Sequence, residues 1–280
     1  FKQKTAYEIS TRDWSSDVCS SDLFARLIEW AERFIYKNAD HIVTHNDVLL
    51  QYCIDRGADA AAASVIYPGI DSSRFCPGPP SIDIQKSLGL TPGDKVILFM
   101  GTIFRFSGLF ELVTELAPQL RSDSSLKLLV LGDGEDTDRL RALVHESLLQ
   151  HQVLMPGRIE YDALTDFLRL GDVAVLPFNR EMVSHCALPG KVLQYLACGL
   201  PTLSTCLDGL MSVIPPGNEI IYSTSLDEMS ETATQLLHDS ETRERLSQMA
   251  VQSVHRRFDW NNQINLFELM LARVINKRPK

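Results

Sequence analysis

The sequence predicts an α/β chain organised around a doubly wound parallel sheet, and three observations carry that expectation. From residue 95 onward, short apolar runs alternate with longer stretches of helical period. Each run is apolar throughout instead of alternating with polar residues, the pattern of strands buried on both faces. The turns that follow several of the runs are rich in glycine, as in Gly101 to Gly108, Gly132-Asp133-Gly134 and Gly157-Arg158.

Taken in order, Phe24, Leu27, Ile28, Ala31, Phe34 and Ile35 fall on one helical face. A strand at His41 to Thr44 leads to a helix at Asn46 to Arg56, with Asn46 as its cap, and a second strand covers Ser64 to Tyr67. Pro68-Gly69 and the later Pro77-Gly78-Pro79-Pro80 mark residues 68–80 as a linker. Strand Lys95 to Met100 then precedes a helix ending near Leu120, and strand Leu126 to Leu131 precedes a helix at Glu135 to Leu149. Strand Val153 to Met155, a helix at Tyr161 to Arg169 and strand Val173 to Leu176 follow. A helix over 189–197, a strand over 201–205 and a short strand at Glu219 to Ile221 complete the sheet. The tail reads as three helices: Leu226 to His238, Glu241 to His255 and Phe258 to Ile275. Residues 24–67 supply too few elements for an independent core and read as the end of a larger domain.

At 280 residues, 45% hydrophobic and 22% charged, the chain has the composition of a soluble globular protein of one large or two smaller domains. A net charge of −9 argues against broad binding to nucleic acid or anionic lipid, so an anion site has to be local. The longest apolar runs, such as Val96 to Met100, are too short to cross a bilayer. The six cysteines form no C-x-x-C pair, which points to free thiols in a reducing compartment, with Cys53 and Cys198 as small core residues. No metal site is expected.

Residues 1–23 stand apart. Ser15-Ser16-Asp17-Val18 is nearly repeated as Ser20-Ser21-Asp22-Leu23, no period runs through the segment, and it lacks the apolar core of a signal peptide. It resembles the conceptual translation of sequencing-adapter DNA; a native tail without fixed structure is the alternative reading.

The most informative stretch runs from Ala187 to Thr202. Pro189-Gly190-Lys191 opens a short helix, Cys198-Gly199 stops it, and a strand follows Pro201. The helix start then lies at the carboxyl edge of a parallel sheet, where free N–H groups and a lysine favour an anion. A phosphate-bearing ligand is the natural reading.

These motifs resemble the retaining glycosyltransferases of the GT-B fold, particularly family four. Ala39-Asp40-His41-Ile42-Val43-Thr44-His45-Asn46 is similar to the family's "ADxVVxxS" segment, and Val65 to Phe75 to its "VIPNGVDxxxF" element. Phe99-Met100-Gly101, Val130 to Gly134 and Gly171 to Pro177 match three further landmarks in the same order. The resemblance covers roughly residues 24–275. It implies two Rossmann-like domains facing a cleft: 24–67 as the remnant of the acceptor-side domain, 68–80 as the linker, 81–257 as the nucleotide-sugar donor domain and 258–280 as a helix crossing back. It implies transfer from a nucleotide-diphosphate sugar, as co-substrate, to a glycan, lipid-linked or small-molecule acceptor hydroxyl with retention of configuration. No metal cofactor and no nucleic-acid partner are implied. The implied setting is the cytoplasm or the cytoplasmic face of the membrane, with any membrane contact made through the missing domain.

Breaking a sugar–diphosphate bond places negative charge on the leaving phosphate, which fixed cations and amides have to stabilise when no metal does. Arg105 and Lys191 are the expected catalytic cations. Gly101, Thr102, Ser107, Gly108, Gly132, Gly134, Arg158, Ile159, Gly190 and Gln194 are the expected donor-binding positions. Gln194 stands where the family usually has the glutamate that holds the ribose, and an amide can still bond to ribose hydroxyls. Cys186 stands for a second glutamate near the transferred sugar, with His185 and Glu181 as polar neighbours, and Ser107 for a lysine. Plainer readings stay open beside these. Arg105 and Lys191 are also what a solvated loop and an exposed first helical turn present, and Gly-x-Gly is also a tight turn. His41, His45, His151 and His255 show no ligand spacing, and Phe104, Phe106 and Phe110 read as packing groups.

Two other functions share this architecture. A nucleotide-sugar 2-epimerase needs paired acid and base carboxylates, and no such pair stands out. A degenerate nucleotide-sugar-binding module is suggested by Gln194 and Cys186.

Overall fold

Two parallel sheets organise the protein, which is described here from a computed structural model covering residues 21–179, 185–217 and 219–277. Residues 1–20 and Glu181 lie outside the described residues. Helix α1 (Ser21–Asn38) leads into β1 (Ile42–Thr44), α2 (Asp47–Asp55) and β2 (Ala63–Val65). β1 and β2 pair in parallel, Ile42 opposite Ala63. Asn46 caps α2 as its sequence suggests: its side-chain oxygen accepts from the Leu49 N–H at 2.8 Å. The period of α1 is helical, yet Leu27, Trp30, Phe34 and Ile35 on it are exposed.

The segment 68–80 is pinned, not slack. Ile70 N–H donates to Phe258 O and Trp260 N–H to Ile70 O, and Phe75 is fully buried in the main core. After α3 (Ile82–Ser87), the second sheet is built from β3 (Lys95–Met100), β4 (Leu126–Leu131), β5 (Val153–Gly157), β6 (Val173–Leu176), β7 (Thr202–Thr205) and β8 (Ile220–Ser223). All pairings are parallel, in the order β5-β4-β3-β6-β7-β8. The chain therefore runs outward from β3 to β5, then returns to lay β6 on the other side of β3. Right-handed crossovers in opposite directions place their helices on opposite faces of the sheet.

Between the strands lie α4 (Leu109–Ser122), α5 (Thr137–Glu146), α6 (Leu164–Leu168), α7 (Gly190–Ala197) and α8 (Asp208–Val213). They are followed by α9 (Leu226–His238), α10 (Ser240–Ser253) and α11 (Trp260–Lys277). α4 packs against α5 and α9, and α7 against α10, so the sheet is sandwiched. Ile97, Leu98, Phe99, Leu128, Leu129, Val130 and all of β6 are inaccessible to solvent, which is why these runs carry no polar alternation. Cys53 and Cys198 are buried core residues.

The sequence reading and the structure differ in short elements. α3 and α8 were not expected, because six residues give too little periodicity to register. α5 and α6 are shorter than their apolar periods suggest, and β5 extends through Pro156 and Gly157 at a ladder irregularity. A π-turn at Val254–Phe258 separates α10 from α11. Among the described residues, no helix is long and apolar enough to cross a membrane.

Candidate functional site

The reversal of strand order creates a crevice at the carboxyl ends of β3 and β6. The two strands pair at Ile97–Val173 and Leu98–Ala174, and the ladder ends there. Open α/β sheets bind ligands at such a point. Two loops wall it. After β3, Arg105–Ser107 makes one 3-10 turn that ends on Gly108, the cap of α4. After β6, Pro177 to Asn179 runs alongside: Asn179 N–H donates to Phe106 O at 3.1 Å, and its amide to Arg105 O at 3.4 Å. Gly108 abuts Pro177 so closely that a methyl group on it would lie 1.7 Å from the Pro177 carbonyl oxygen.

Lys191, in the first turn of α7, reaches into this crevice. Its ammonium nitrogen lies 4.8 Å from the ring centre of Phe99 and 4.7 Å from that of Phe178. A methyl group on Gly101 would sit 2.0 Å from Nζ, so a side chain there would push the ammonium from this position. No carboxylate pairs with it among the described residues. The ring faces favour the charge, but loss of water opposes it more strongly and pushes the ammonium down to about 7. Gln194, one turn further along α7, is half-buried, and its amide makes no hydrogen bond among the described residues. Gly190, at the tip of α7, is exposed, with nothing near the position of a Cβ.

The remaining expected residues divide into three groups. Thr102 and Arg105 are exposed on the first loop, and the hydroxyl of Ser107 is buried there with no hydrogen-bond partner among the described residues. Gly132 and Gly134 hold that loop from behind. Ile103 N–H donates to Asp133 O at 3.1 Å, and a Cβ on Gly132 or Gly134 would meet Gly101 O at 2.0 Å or Ile103 O at 2.1 Å. The tight-turn reading of Gly-x-Gly describes this local role. Arg158 and Ile159 follow β5, separated from β3 by β4; Arg158 is exposed and Ile159 packs on the edge of the core. Phe104 and Phe178 have ring centres 6.2 Å apart, while Phe106 is 38% exposed and so is less buried than a packing group should be.

Sequence reasoning missed a clamp on the chain entering α7. Leu188 N–H donates to His45 Nε2 at 3.3 Å, and the Asn46 amide donates to Cys186 O at 2.8 Å. Burial lowers the pKa of His45, keeping the ring neutral and Nε2 free to accept. From the other side, Gly209 of α8 lies against the Cys186 and Ala187 carbonyls, and His185 Nδ1 is 3.4 Å from an Asp208 carboxylate oxygen. Asn46 is readable in the sequence as a cap, but its second bond joins residues 140 positions apart and leaves no local signal. Replacing Asn46 with alanine removes both bonds. The expected loss is about 2–3 kcal/mol, about 1 for the cap and about 1–2 for the orphaned carbonyl. Asn46→Ser should keep the cap, because a serine oxygen accepts from the same amide, and lose only the second share. Urea unfolding measures both, and a loss under about 1 kcal/mol for the alanine variant would deny the clamp its weight.

Comparison with known proteins gives the family of the chain. The family model for glycosyl transferases group 1 matches residues 81–253, and the chain belongs to that family. An uncharacterized glycosyltransferase of Methanocaldococcus jannaschii is 24% identical over 81% of this chain and 58% of its own length. A D-inositol 3-phosphate glycosyltransferase of Kineococcus radiotolerans is 30% identical over 65% of this chain and 43% of its own. The chain thus spans about half the length of these curated relatives. In structure, Anabaena HepE, crystallised in complex with UDP, aligns with a TM-score of 0.78 at 16% identity over 91% of this chain and 70% of HepE. The shared architecture is the Rossmann-like fold of GT-B glycosyltransferases.

Proposed function

We propose that this chain carries the donor-binding part of a retaining, family-four glycosyltransferase that moves a sugar from a nucleotide-diphosphate sugar to an acceptor hydroxyl. The observation that supports this reading most is Lys191: a cation with no carboxylate partner among the described residues, at the carboxyl end of β3, beside a glycine. In the reaction the bond between the sugar and the diphosphate oxygen breaks, and the acceptor oxygen bonds to the same carbon from the same face. The acceptor proton passes to the departing phosphate. Lys191 and Arg105 offset the charge that gathers on that phosphate, and Ser107 donates its otherwise unused hydroxyl. Thr102 and the amides of Gly101, Gly108 and Gly190 line the diphosphate, and Gln194 holds the ribose. Gly132 and Gly134 serve by shaping the first loop. Arg158 and Ile159 are reserved for the outer part of the nucleotide.

In this reading the acceptor site lies mostly in sequence preceding β1, with 68–80 as the linker, 81–257 as the donor domain and 258–280 as the returning helix. The exposed apolar side chains of α1 and α11, Trp30, Phe34, Leu266 and Leu269 among them, support a further layer of protein over these helices. The enzyme acts in the cytoplasm or at its membrane face and needs no metal. Calorimetric titration of the 280-residue chain with UDP, GDP and ADP in EDTA tests the donor site. Saturable binding of one nucleotide is expected, and no binding of any would remove the reading. The degenerate-module alternative is separated by anomer-resolved product analysis of a version extended upstream: donor binding with no product would favour it.

A further inference from the structure

We propose that Tyr195 is a positioning residue whose hydroxyl takes the place of β6 at the end of β3 and thereby fixes Lys191 over Gly101. This inference rests on the donor-site reading above for its functional meaning, and on geometry for its substance. In a parallel ladder, alternate residues direct their N–H and C=O groups to opposite neighbours. Gly101 N–H bonds to Leu131 of β4, and Val96 O accepts from Asp172 on the β6 side. Met100 therefore directs both its groups toward β6, where the ladder has already ended at Leu98–Ala174.

Tyr195, fully buried on α7, supplies both missing partners. Met100 N–H donates to its hydroxyl at 2.6 Å, and the hydroxyl donates to Met100 O at 3.3 Å. An unpaired buried backbone pair would otherwise face the crevice. The bond also joins α7 to the residue immediately before Gly101. Lys191 lies four positions earlier on α7, hence on the same face as Tyr195. The other buried residues of α7, Val192, Leu193, Leu196 and Ala197, are aliphatic, and apolar contact is non-directional. The hydroxyl is accordingly the directional tie that sets how far α7 stands from β3, and with it the place of the lysine between Phe99 and Phe178.

Tyr195→Phe keeps the ring and removes the tie. Two readouts decide the matter on the 280-residue chain. In the unliganded protein, the Lys191 side-chain titration followed by 13Cε NMR is expected to shift upward in Tyr195→Phe, because a loosened α7 admits water to the ammonium. In calorimetry, UDP affinity is expected to fall about tenfold in Tyr195→Phe, but less than twofold when Lys191 is already methionine. An unshifted Lys191 titration, or the same tenfold loss with and without the lysine, would overturn the proposal, since general loosening predicts equal losses. Should the wild-type chain bind none of UDP, GDP and ADP, the donor reading fails while the NMR titration still decides the positioning role; should it bind GDP or ADP instead of UDP, that nucleotide is the calorimetric probe.

Discussion

Replacing Lys191 with methionine is expected to weaken UDP binding about 10- to 100-fold, the range for losing one hydrogen bond to a charged partner at about 1.5–3 kcal/mol. In an upstream-extended enzyme, turnover should fall further, by about 10²- to 10³-fold, because the charge that Lys191 meets grows as the sugar–oxygen bond breaks. Stability should move the other way. The wild-type ammonium lies against two phenyl rings with no carboxylate partner among the described residues, and its loss of water disfavours the charge. Methionine matches the stem and makes favourable contacts with aromatic edges. The unliganded variant should therefore unfold at the same or a higher temperature. Reduced affinity together with reduced stability would mean that Lys191 supports the fold, and the assignment of its role would fail.

The same residue gives the site a pH dependence whose sign follows from its environment. Burial holds the free-state ammonium down to about 7, and a bound diphosphate favours the protonated form. Below pH 7 the cation is already present. Above it, binding has to bring a proton with it, so affinity declines by up to tenfold per pH unit until the higher pKa of the complex is reached. The terminal phosphate of UDP, with a second pKa of about 6, is already ionised in that window and does not produce the decline. Calorimetry in buffers of different ionisation enthalpy should register uptake of a proton near pH 8 by wild type and none by Lys191→Met.

How much of this was legible beforehand differs by kind of interaction. The strands of the large sheet were readable because both faces are buried, so Lys95 to Met100 and Leu126 to Leu131 appear in the sequence as unbroken apolar runs. Lys191 and the helix start at Gly190 were readable because Pro-Gly and Cys-Gly punctuate α7 on both sides. The environment of Lys191 was not. Phe99 is read in sequence as one more core strand residue, and Phe178 as a residue after a strand; only the strand-order reversal places both against one ammonium. Tyr195 carries no motif of its own, since its partner is a backbone amide 95 residues away. His45 reads as a histidine without ligand spacing, a reading silent about the backbone amide it accepts from. Side chains that bond to backbone across the fold leave no periodic or compositional trace, and these were the residues missed.

Gly108→Ala should be strongly destabilising, by about 2–4 kcal/mol, the sum of a strained backbone and a collision that the surroundings resist. The backbone at Gly108 has φ +68°, a left-handed conformation that side chains disfavour by about 1 kcal/mol. The added methyl would also lie 1.7 Å from the Pro177 carbonyl oxygen, and both chains are held there. Gly108 begins a helix whose first turn is buried through Leu109 and Leu112, and Pro177 follows a strand buried over its whole length. Neither can yield without parting the β3 and β6 loops. Gly89 isolates the two contributions. It has φ +70°, nearly the same backbone, on an exposed turn with nothing within 4 Å of a Cβ. Gly89→Ala should therefore cost only the strain, about 1 kcal/mol. In thermal unfolding, about 2–4 °C per kcal/mol for chains near this size, Gly108→Ala is expected to melt several degrees below Gly89→Ala. Equal midpoints for the two variants would mean that the loops separate freely, and that the crevice wall around Lys191 is not the rigid feature from which its role has been argued.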